Sequence, residues 1–221
     1  MILITGASSG LGAALATQYA EEGHTVTISG RSAERLHTVS EQHTNIHPIA
    51  ADLANEASVT MLFDKLSAST PNTVIHCAGS GYFGGIDTQQ ATEINTLLEN
   101  NVTSTILLVR ELVKRYRDKK INVVIVMSTA ALAAKAGEST YCAAKWAVRG
   151  FIESIRLELK NSPMKLIAVY PGGMDTDFWP SSGKTLDTSS FMSAKEAAGM
   201  LKQALTASEH GYISDITIQR G

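Results

Sequence analysis

The sequence has few features that would tie it to nucleic acid, a metal or an oxidising compartment. Its 221 residues include only two cysteines, Cys77 and Cys142, and the 19 basic and 21 acidic residues give a formal net charge of −2. So few thiols favour a reduced, cytoplasmic protein, and the balanced charge gives no electrostatic reason to bind nucleic acid. The six histidines are scattered without metal-ligand spacing, so no metal site is predicted.

Long hydrophobic runs and linkers are also missing. The most apolar long stretch, residues 121–134, falls well short of the roughly 20 residues needed to cross a bilayer. Residues 1–4 are apolar but lack a basic flank and lead straight into a glycine-rich loop, unlike a signal peptide. Because no Pro/Ser-rich linker, charge block or repeat interrupts the chain, we expect one soluble domain over residues 1–221 that makes no membrane contact.

The sequence does contain a regular alternation of strand and helix patterns. Strands are predicted at residues 1–5, 24–29, 46–50, 73–77, 121–127, 165–170 and 213–218, and helices at 11–22, 32–42, 56–67, 99–118, 140–160 and 194–207. This alternation is typical of a parallel sheet covered by helices on both faces. It predicts an α/β, Rossmann-like, doubly wound parallel sheet of about seven strands, with ligands beyond the carboxyl ends of the strands.

A glycine-rich loop joins the first strand to the first helix. It reads Thr5-Gly6-Ala7-Ser8-Ser9-Gly10-Leu11-Gly12. At such a junction the free N–H groups and the positive end of the helix dipole favour a phosphate, which glycines allow to approach closely. The spacing G-x-x-x-G-x-G differs from the usual G-x-G-x-x-G, and the loop alone is equally compatible with a tight structural turn.

Further small and polar residues follow the other predicted strands. In strand order these are Gly30-Arg31, Asp52, Ala78-Gly79, Ser128 and Pro171-Gly172. The carboxyl ends of parallel strands share one edge of a sheet, and packing alone does not require polar groups there. Their convergence therefore predicts a functional site at that edge.

The residues after the fifth strand can carry proton-transfer chemistry. Tyr141 and Lys145 share a helical face one turn apart, so the ammonium is expected to lower the tyrosine pKa from about 10 towards the working pH. Ser128 can donate a hydrogen bond to an oxygen on which negative charge develops. Singly, each residue has a structural explanation: a ring over the core, a solvated lysine and a serine at a turn.

Together these residues resemble the short-chain dehydrogenase/reductase family over nearly the whole chain. The matching motifs are Thr5-Gly6-x-x-x-Gly10-x-Gly12, Asp52-Leu53, Ser128, Tyr141-x-x-x-Lys145 and the P-G-x-x-x-T segment from Pro171 to Thr176. The resemblance implies an NAD(P)-dependent oxidoreductase that transfers a hydride between a nicotinamide and a carbonyl or alcohol substrate, with Tyr141 as general acid/base. It also implies a catalytic position at Asn101, which would connect Lys145 to a water-borne proton relay.

The same resemblance implies a set of cofactor contacts along the predicted edge. They are Thr5, Gly6, Ser8, Ser9, Gly10, Leu11, Gly12, Arg31, Asp52, Leu53, Ala78, Gly79, Tyr141, Lys145, Pro171, Gly172, Met174 and Thr176. The second strand ends in Ser29-Gly30-Arg31-Ser32, with no carboxylate for a ribose hydroxyl and an arginine suited to a 2′-phosphate. NADP(H) is therefore predicted over NAD(H), the alternative being that Arg31 pairs on the surface.

The chain departs from the family pattern after the fourth strand. The usual N-x-A-G reads His76-Cys77-Ala78-Gly79. The family asparagine mainly steadies the central sheet, so we expect His76 to be a structural donor rather than a catalytic group. Cys142, beside Tyr141, has no evident histidine partner and is expected to be a small buried residue.

Aromatic and apolar residues outside these motifs bear on the substrate and on assembly. Residues 175–193 carry Phe178, Trp179 and Phe191 among Ser, Gly and Pro, which predicts a mobile substrate lid and an apolar ketone or aldehyde, or else an interface. Apolar positions on the helices at 99–118 and 140–160 predict a homodimer or homotetramer, since relatives use these helices at interfaces, unless they face the sheet. These positions are Val109, Leu112, Trp146, Phe151 and Ile155.

Two other functions share this fold. A catalytically silent NADP(H)-binding regulator or scaffold would not need Ser128, Tyr141 and Lys145 together. A nucleotide-sugar epimerase or dehydratase would need a sugar-binding lobe, for which little chain remains after the sixth strand.

Overall fold

A seven-stranded parallel sheet forms the centre of the structure, a computed structural model that describes residues 1–66, 69–206 and 211–221. Its strands are β1 (Ile2–Thr5), β2 (Val26–Gly30), β3 (Ile46–Ala50), β4 (Thr73–His76), β5 (Asn122–Val126), β6 (Lys165–Pro171) and β9 (Asp215–Ile218). They lie in the order β3-β2-β1-β4-β5-β6-β9. The predicted fold and all seven strands are confirmed, with each bound within two residues of the prediction.

Eight α-helices cover this sheet or close its carboxyl edge in the described part of the chain. They are α1 (Gly10–Glu21), α2 (Ala33–Ser40), α3 (Glu56–Lys65), α4 (Ala91–Leu98), α5 (Ser104–Tyr116), α6 (Ser139–Glu158), α7 (Phe178–Ser181) and α8 (Ala194–Ala204). A separate short pair, β7 (Met174–Asp175) and β8 (Met192–Ser193), ties the two ends of the segment that contains α7. The predicted helix ends at 67 and 207 lie outside the described residues.

The helix predicted to begin at residue 99 is longer and is interrupted. It starts as α4 and passes through a π-helical segment, Glu99–Thr103, into α5. The pair Asn100 and Asn101 resembles a helix start because asparagine favours that position. Inside this helix, their carbonyls instead accept hydrogen bonds from the hydroxyls of Ser104 and Thr105, at 2.7 and 2.6 Å.

Apolar side chains fill both faces of the sheet, which is why the strands are almost continuously hydrophobic. Leu3 and Ile4 are fully buried in two different core clusters, one with α3, α5 and α6 and the other with α1, α2 and α8. Val109 and Leu112 of α5 are buried in the sheet-facing core, whereas Trp146 of α6 is 47% exposed. Within the described residues, no helix has the length and apolarity that a bilayer crossing requires.

Candidate active site

The carboxyl edge of the sheet borders a cleft of about 550 Å³. It brings together most of the predicted site residues: Gly6, Ser8, Ser9, Gly10, Leu11, Gly12, Arg31, Asp52, Leu53, Ala78, Gly79, Ser128, Tyr141, Lys145, Pro171, Gly172, Met174 and Thr176. The remaining two, Thr5 and Asn101, are buried behind this surface, at 0% and 1% exposure. Thr5 therefore lies behind the cleft rather than lining it.

The glycine loop packs so closely on its surroundings that two of its positions, Gly6 and Gly12, exclude a side chain. Gly6 has φ +70°, and a Cβ there would lie 2.3 Å from the backbone nitrogen of Ala78. A Cβ on Gly12 would lie 2.5 Å from the carbonyl oxygen of Gly6. The loop thus forms a backbone cradle at the start of α1, where unpaired N–H groups favour a phosphate.

Tyr141 and Lys145 are both buried on α6, each 6% exposed. The Lys145 ammonium lies 5.5 Å from the centre of the Tyr141 ring. Ser128, after β5, accepts a hydrogen bond from the backbone N–H of Ala130 at 3.1 Å. That bond starts a 3-10 turn, Thr129–Ala131, and fixes the serine beside Tyr141.

Burial dominates the electrostatics of this group. It raises the pKa of Tyr141 above its ordinary value, while the Ser128 hydroxyl acts in the lowering direction. Burial also lowers the pKa of Lys145 to about 8. The net shift of the Tyr141 pKa is therefore upward, opposite in direction to the sequence expectation. The lowering effect of Lys145 itself stays a prediction.

Asn101 lies in the π-helical segment with most of its polar groups held. Its Nδ2 donates to the carbonyls of Leu97 and Ser80, both at 2.9 Å. Among the described residues, its buried Oδ1 has no hydrogen-bond partner. A Cβ on Gly79 would lie 2.7 Å from that oxygen and 3.2 Å from Lys145 Nζ, so both atoms border the space that glycine leaves. π-helical turns are frequent at functional sites.

Two arginines border the cleft near the end of β2. Arg31 Nη1 donates to Asn100 Oδ1 at 3.1 Å, and Asn100 Nδ2 donates to Ser80 Oγ at 3.1 Å. Arg35, in the first turn of α2, also lines the cleft, and its backbone N–H donates to Ser32 at the start of that helix. Arg35 was missing from the sequence prediction, although its position four residues after Arg31 was an available signal.

His76 is linked to three buried residues. Its Nδ1 lies 2.7 Å from Thr5 Oγ1, and its Nε2 lies 3.0 Å from Thr105 Oγ1. Thr105 in turn donates to the Asn101 carbonyl. Burial, with a smaller effect from Lys145, lowers the histidine pKa to about 3. The expected structural role agrees with these contacts, although no sequence pattern pointed to Thr105.

Aromatic rings cover the Tyr141 end of the cleft. The ring centres of Phe83 and Phe178 lie 5.3 and 5.8 Å from that of Tyr141, and Trp179 lies 5.9 Å from Phe83. Lys184 contacts the faces of Phe83 and Trp179 and forms an ion pair of 3.2 Å with Glu138, just before α6. Residues 175–193 therefore form one wall of the site, together with Phe83, which the sequence prediction missed.

Comparison with known proteins gives three consistent results. A family model described as short chain dehydrogenase matches residues 1–187. An uncharacterized oxidoreductase of Staphylococcus aureus strain MW2 is 27% identical over 227 residues, covering 98% of this chain and 95% of the relative.

Solved structures give the same result. A short-chain dehydrogenase/reductase from Vibrio parahaemolyticus is 55% identical and superposes with a TM-score of 0.93, covering 100% of both chains. An alcohol dehydrogenase from the archaeon Thermococcus sibiricus, complexed with 5-hydroxy-NADP, has a TM-score of 0.89 at 19% identity, over 98% of this chain and 95% of that one. This last likeness shows a common fold.

Proposed function

This chain belongs to the short-chain dehydrogenase/reductase family, and we propose that it is an NADPH-preferring oxidoreductase that reduces the carbonyl group of a small apolar molecule. The observation that carries the proposal is that Ser128, Tyr141 and Lys145 line the same cleft as the glycine loop. Binding a nucleotide requires only the loop. Carbonyl reduction also requires a proton donor, a hydroxyl that binds the carbonyl oxygen and a buried ammonium, which Tyr141, Ser128 and Lys145 would supply.

The residues of the cleft fit a nicotinamide dinucleotide. Gly6 and Gly12 let the loop pack against the backbone of Ala78 and of Gly6 itself, which shapes the turn at the start of α1 where a phosphate would bind. Asp52 and Leu53 line the cleft beyond β3, where the family resemblance implies the adenine contact. Arg31 and Arg35 would hold a 2′-phosphate, since their guanidinium forks suit that anion. Arg31 and Arg35 line the cleft, whereas Glu34 between them is not among the lining residues, and this charge balance favours NADP(H) over NAD(H).

Tyr141 acts as the proton donor. When bound, the cofactor supplies the hydride to the carbonyl carbon. Because burial raises the pKa of Tyr141, its hydroxyl keeps the proton at neutral pH and transfers it to the carbonyl oxygen as the C=O bond is reduced. Ser128 donates a hydrogen bond to the same oxygen. A protonated tyrosine is suited to the reducing direction, whereas alcohol oxidation would first require the phenolate.

Lys145 and Asn101 return a proton to Tyr141. The pKa of Lys145, lowered to about 8 by burial, lies near the working pH, as proton exchange requires. Asn101 Oδ1 borders the same space beside Gly79, and a water hydrogen-bonded to both groups would complete the path. This is the relay that the family resemblance implies.

The substrate end of the cleft favours an apolar or aromatic carbonyl compound. Phe83, Phe178 and Trp179 surround Tyr141, and rings of this kind stack on flat or apolar groups and exclude water. Residues 175–193 act as the lid over this end. The half-exposed Trp146 on α6 further leads us to propose a homodimer or homotetramer, which light scattering after size-exclusion chromatography would test.

The direct test is oxidation of NADPH and NADH by the purified protein, followed at the nicotinamide absorbance, with aliphatic, aromatic, 3-oxoacyl and dicarbonyl compounds. We expect NADPH turnover with aromatic or long aliphatic carbonyls and weaker turnover with NADH. Cofactor binding without turnover on any class would contradict the proposal and support a silent cofactor-binding protein.

A further inference from the structure

Four buried residues form a continuous row behind the cleft. Thr5 and His76 end the neighbouring strands β1 and β4, where they are register partners. Thr105 of α5 lies on the other side of the imidazole, and its hydroxyl reaches the backbone carbonyl of Asn101. The row therefore runs from the residue that begins the glycine loop to the proposed relay residue, and all four members are at most 2% exposed.

The direction of every hydrogen bond in the row follows from one carbonyl. The Asn101 carbonyl can only accept, so the single hydroxyl proton of Thr105 is committed to it, at 2.6 Å. Thr105 Oγ1 can then only accept from His76, which means that His76 Nε2 carries a proton. In a neutral imidazole the other nitrogen is an acceptor, so Thr5 donates to His76 Nδ1 at 2.7 Å.

The row holds Asn101 so that its side-chain oxygen, Oδ1, faces the proposed relay. With the carbonyl bonded to Thr105 and Nδ2 bonded to Leu97 and Ser80, Oδ1 is the polar side-chain atom left beside Gly79 and Lys145. The Thr105 hydroxyl is an additional bond to the carbonyl of Asn101 within this π-helical segment. An asparagine in place of His76 would reach Thr5 but would be too short to reach Thr105.

We propose that His76 is a positioning residue of this active site, held as the Nε2–H tautomer between Thr5 and Thr105, which fixes the π-helical segment and the orientation of Asn101. This inference rests on the proposed function for its catalytic consequence. The tautomer and the contacts stand without it.

The tautomer is measured directly by nitrogen-15 NMR of histidine-labelled protein, with His76→Asn used to assign the signals. We expect a protonated Nε2 and an unprotonated Nδ1 at neutral pH, each with a separate resonance. A proton on Nδ1, an imidazolium, or exchange-averaged nitrogens would overturn the proposed direction of the row.

Variants test the positioning role. Two substitutions of His76 distinguish its contact with Thr5 from its contact with Thr105. His76→Gln extends a donor to Thr105, whereas His76→Asn keeps only the Thr5 contact. We expect His76→Asn and Thr105→Val to lower kcat about tenfold to a hundredfold, as misplacement of a group near the chemistry does. His76→Gln and Thr105→Ser should recover most of kcat, and NADPH affinity should stay unchanged in all four.

Thr17→Val is the matched control, because Thr17 on α1 makes the same kind of bond to a carbonyl one turn earlier, that of Ala13, and otherwise bonds Gln42. Neither Thr17 nor Gln42 is among the cleft-lining residues. Its kcat should equal that of the unaltered protein. Unchanged kcat in folded Thr105→Val, or equal loss in His76→Gln and His76→Asn, would contradict the positioning role.

Failure of the proposed function has a different signature. If no carbonyl compound is turned over, the reductase proposal fails. NMR still tests whether the four buried residues hold Asn101 in place. In that case Thr105→Val should shift the Asn101 side-chain amide signals and Thr105→Ser should restore them. Unshifted Asn101 signals in Thr105→Val would reject the role of the row.

Discussion

Tyr141 and Lys145 are buried together on one face of α6, with the lysine ammonium 5.5 Å from the centre of the tyrosine ring. The same loss of solvent raises one pKa and lowers the other. Each group is therefore biased towards its neutral form, so burial disfavours the charged pair of a Tyr141 phenolate and a Lys145 ammonium relative to the two neutral groups.

Removal of the Tyr141 hydroxyl should separate binding from chemistry. In Tyr141→Phe we expect kcat to fall by about 10²–10⁴-fold, the usual contribution of a general acid, with NADPH affinity unchanged. Steady-state kinetics and a fluorescence titration measure the two quantities. Tyr116→Phe, a partly buried ring on α5, is the control and should behave normally. Equal turnover in Tyr141→Phe would refute the mechanism.

Gly79→Ala should disturb the relay without touching the substrate. The added methyl would lie 2.7 Å from Asn101 Oδ1 and 3.2 Å from Lys145 Nζ, so one of the two must move. We expect kcat to fall about tenfold or more while the fold survives. Gly150→Ala, on an exposed position of α6 with open space around it, should keep full activity and gain about 0.5–1 kcal/mol of stability. Normal kcat in Gly79→Ala would argue against a relay at this point.

Cofactor preference should depend on both arginines at the end of β2. Arg31→Ala and Arg35→Ala should each weaken NADPH binding about tenfold, as expected for loss of a charge-assisted hydrogen bond, and leave NADH binding nearly unchanged. Calorimetric titration with both cofactors gives the ratio of the NADPH and NADH affinities. Arg110→Ala, which removes a surface ion pair with Glu56, should alter neither affinity. Parallel losses for NADPH and NADH would mean that the arginines do not read the 2′-phosphate.

The stability of the protein should decrease in acid partly through His76. Burial lowers its pKa from 6.5 to about 3, so between these values the unfolded chain binds a proton that the folded protein does not. The contribution is present above pH 6.5 and is lost as the pH falls towards 3. Between pH 7 and 5 it amounts to about 2 kcal/mol.

Urea unfolding at the two pH values, compared with His76→Gln, measures this contribution. The variant should lose less stability over the interval, whereas His47→Gln, at an exposed position of β3, should lose as much as the unaltered protein. Identical pH dependence in all three would show that His76 is not held neutral.

The ion pair between Lys184 and Glu138 should keep the lid closed. Lys184→Met removes the partner of a buried carboxylate, which is 8% exposed, and such a group is costly to leave unpaired. We expect faster proteolysis within residues 175–193 and a higher KM for the carbonyl substrate. Lys195→Met, at the start of α8, is the control. A proteolysis rate equal to that of the control would indicate that the ion pair does not restrain the lid.

The elements that followed from the sequence are those set by local patterns. Every strand of the sheet was predicted, because a strand covered on both faces must be apolar along its whole length. The gathering of Gly6, Ser128 and Gly172 at one edge followed from the parallel order of the strands. Those inferences need no knowledge of which side chains touch.

The features that escaped prediction depend on distant contacts. In the sequence, Thr105 looks like any helical threonine. Its role depends on a contact between α5 and the end of β4, where His76 lies 29 residues earlier in the chain. Asn100 and Asn101 resemble a helix start, but the hydroxyls one turn later hold them inside a helix. The raised pKa of Tyr141 depends on how deeply the ring is buried, which residue spacing does not report.

Trp179 offers a way to watch the lid without adding a label. The chain has only two tryptophans, and the other, Trp146, lies exposed on α6. In Trp146→Phe, ultraviolet emission would come from a single indole that packs against Phe83 and Phe178 at the mouth of the cleft. Energy transfer from that indole to a bound reduced nicotinamide would then time the opening and closing of the site in a stopped-flow instrument.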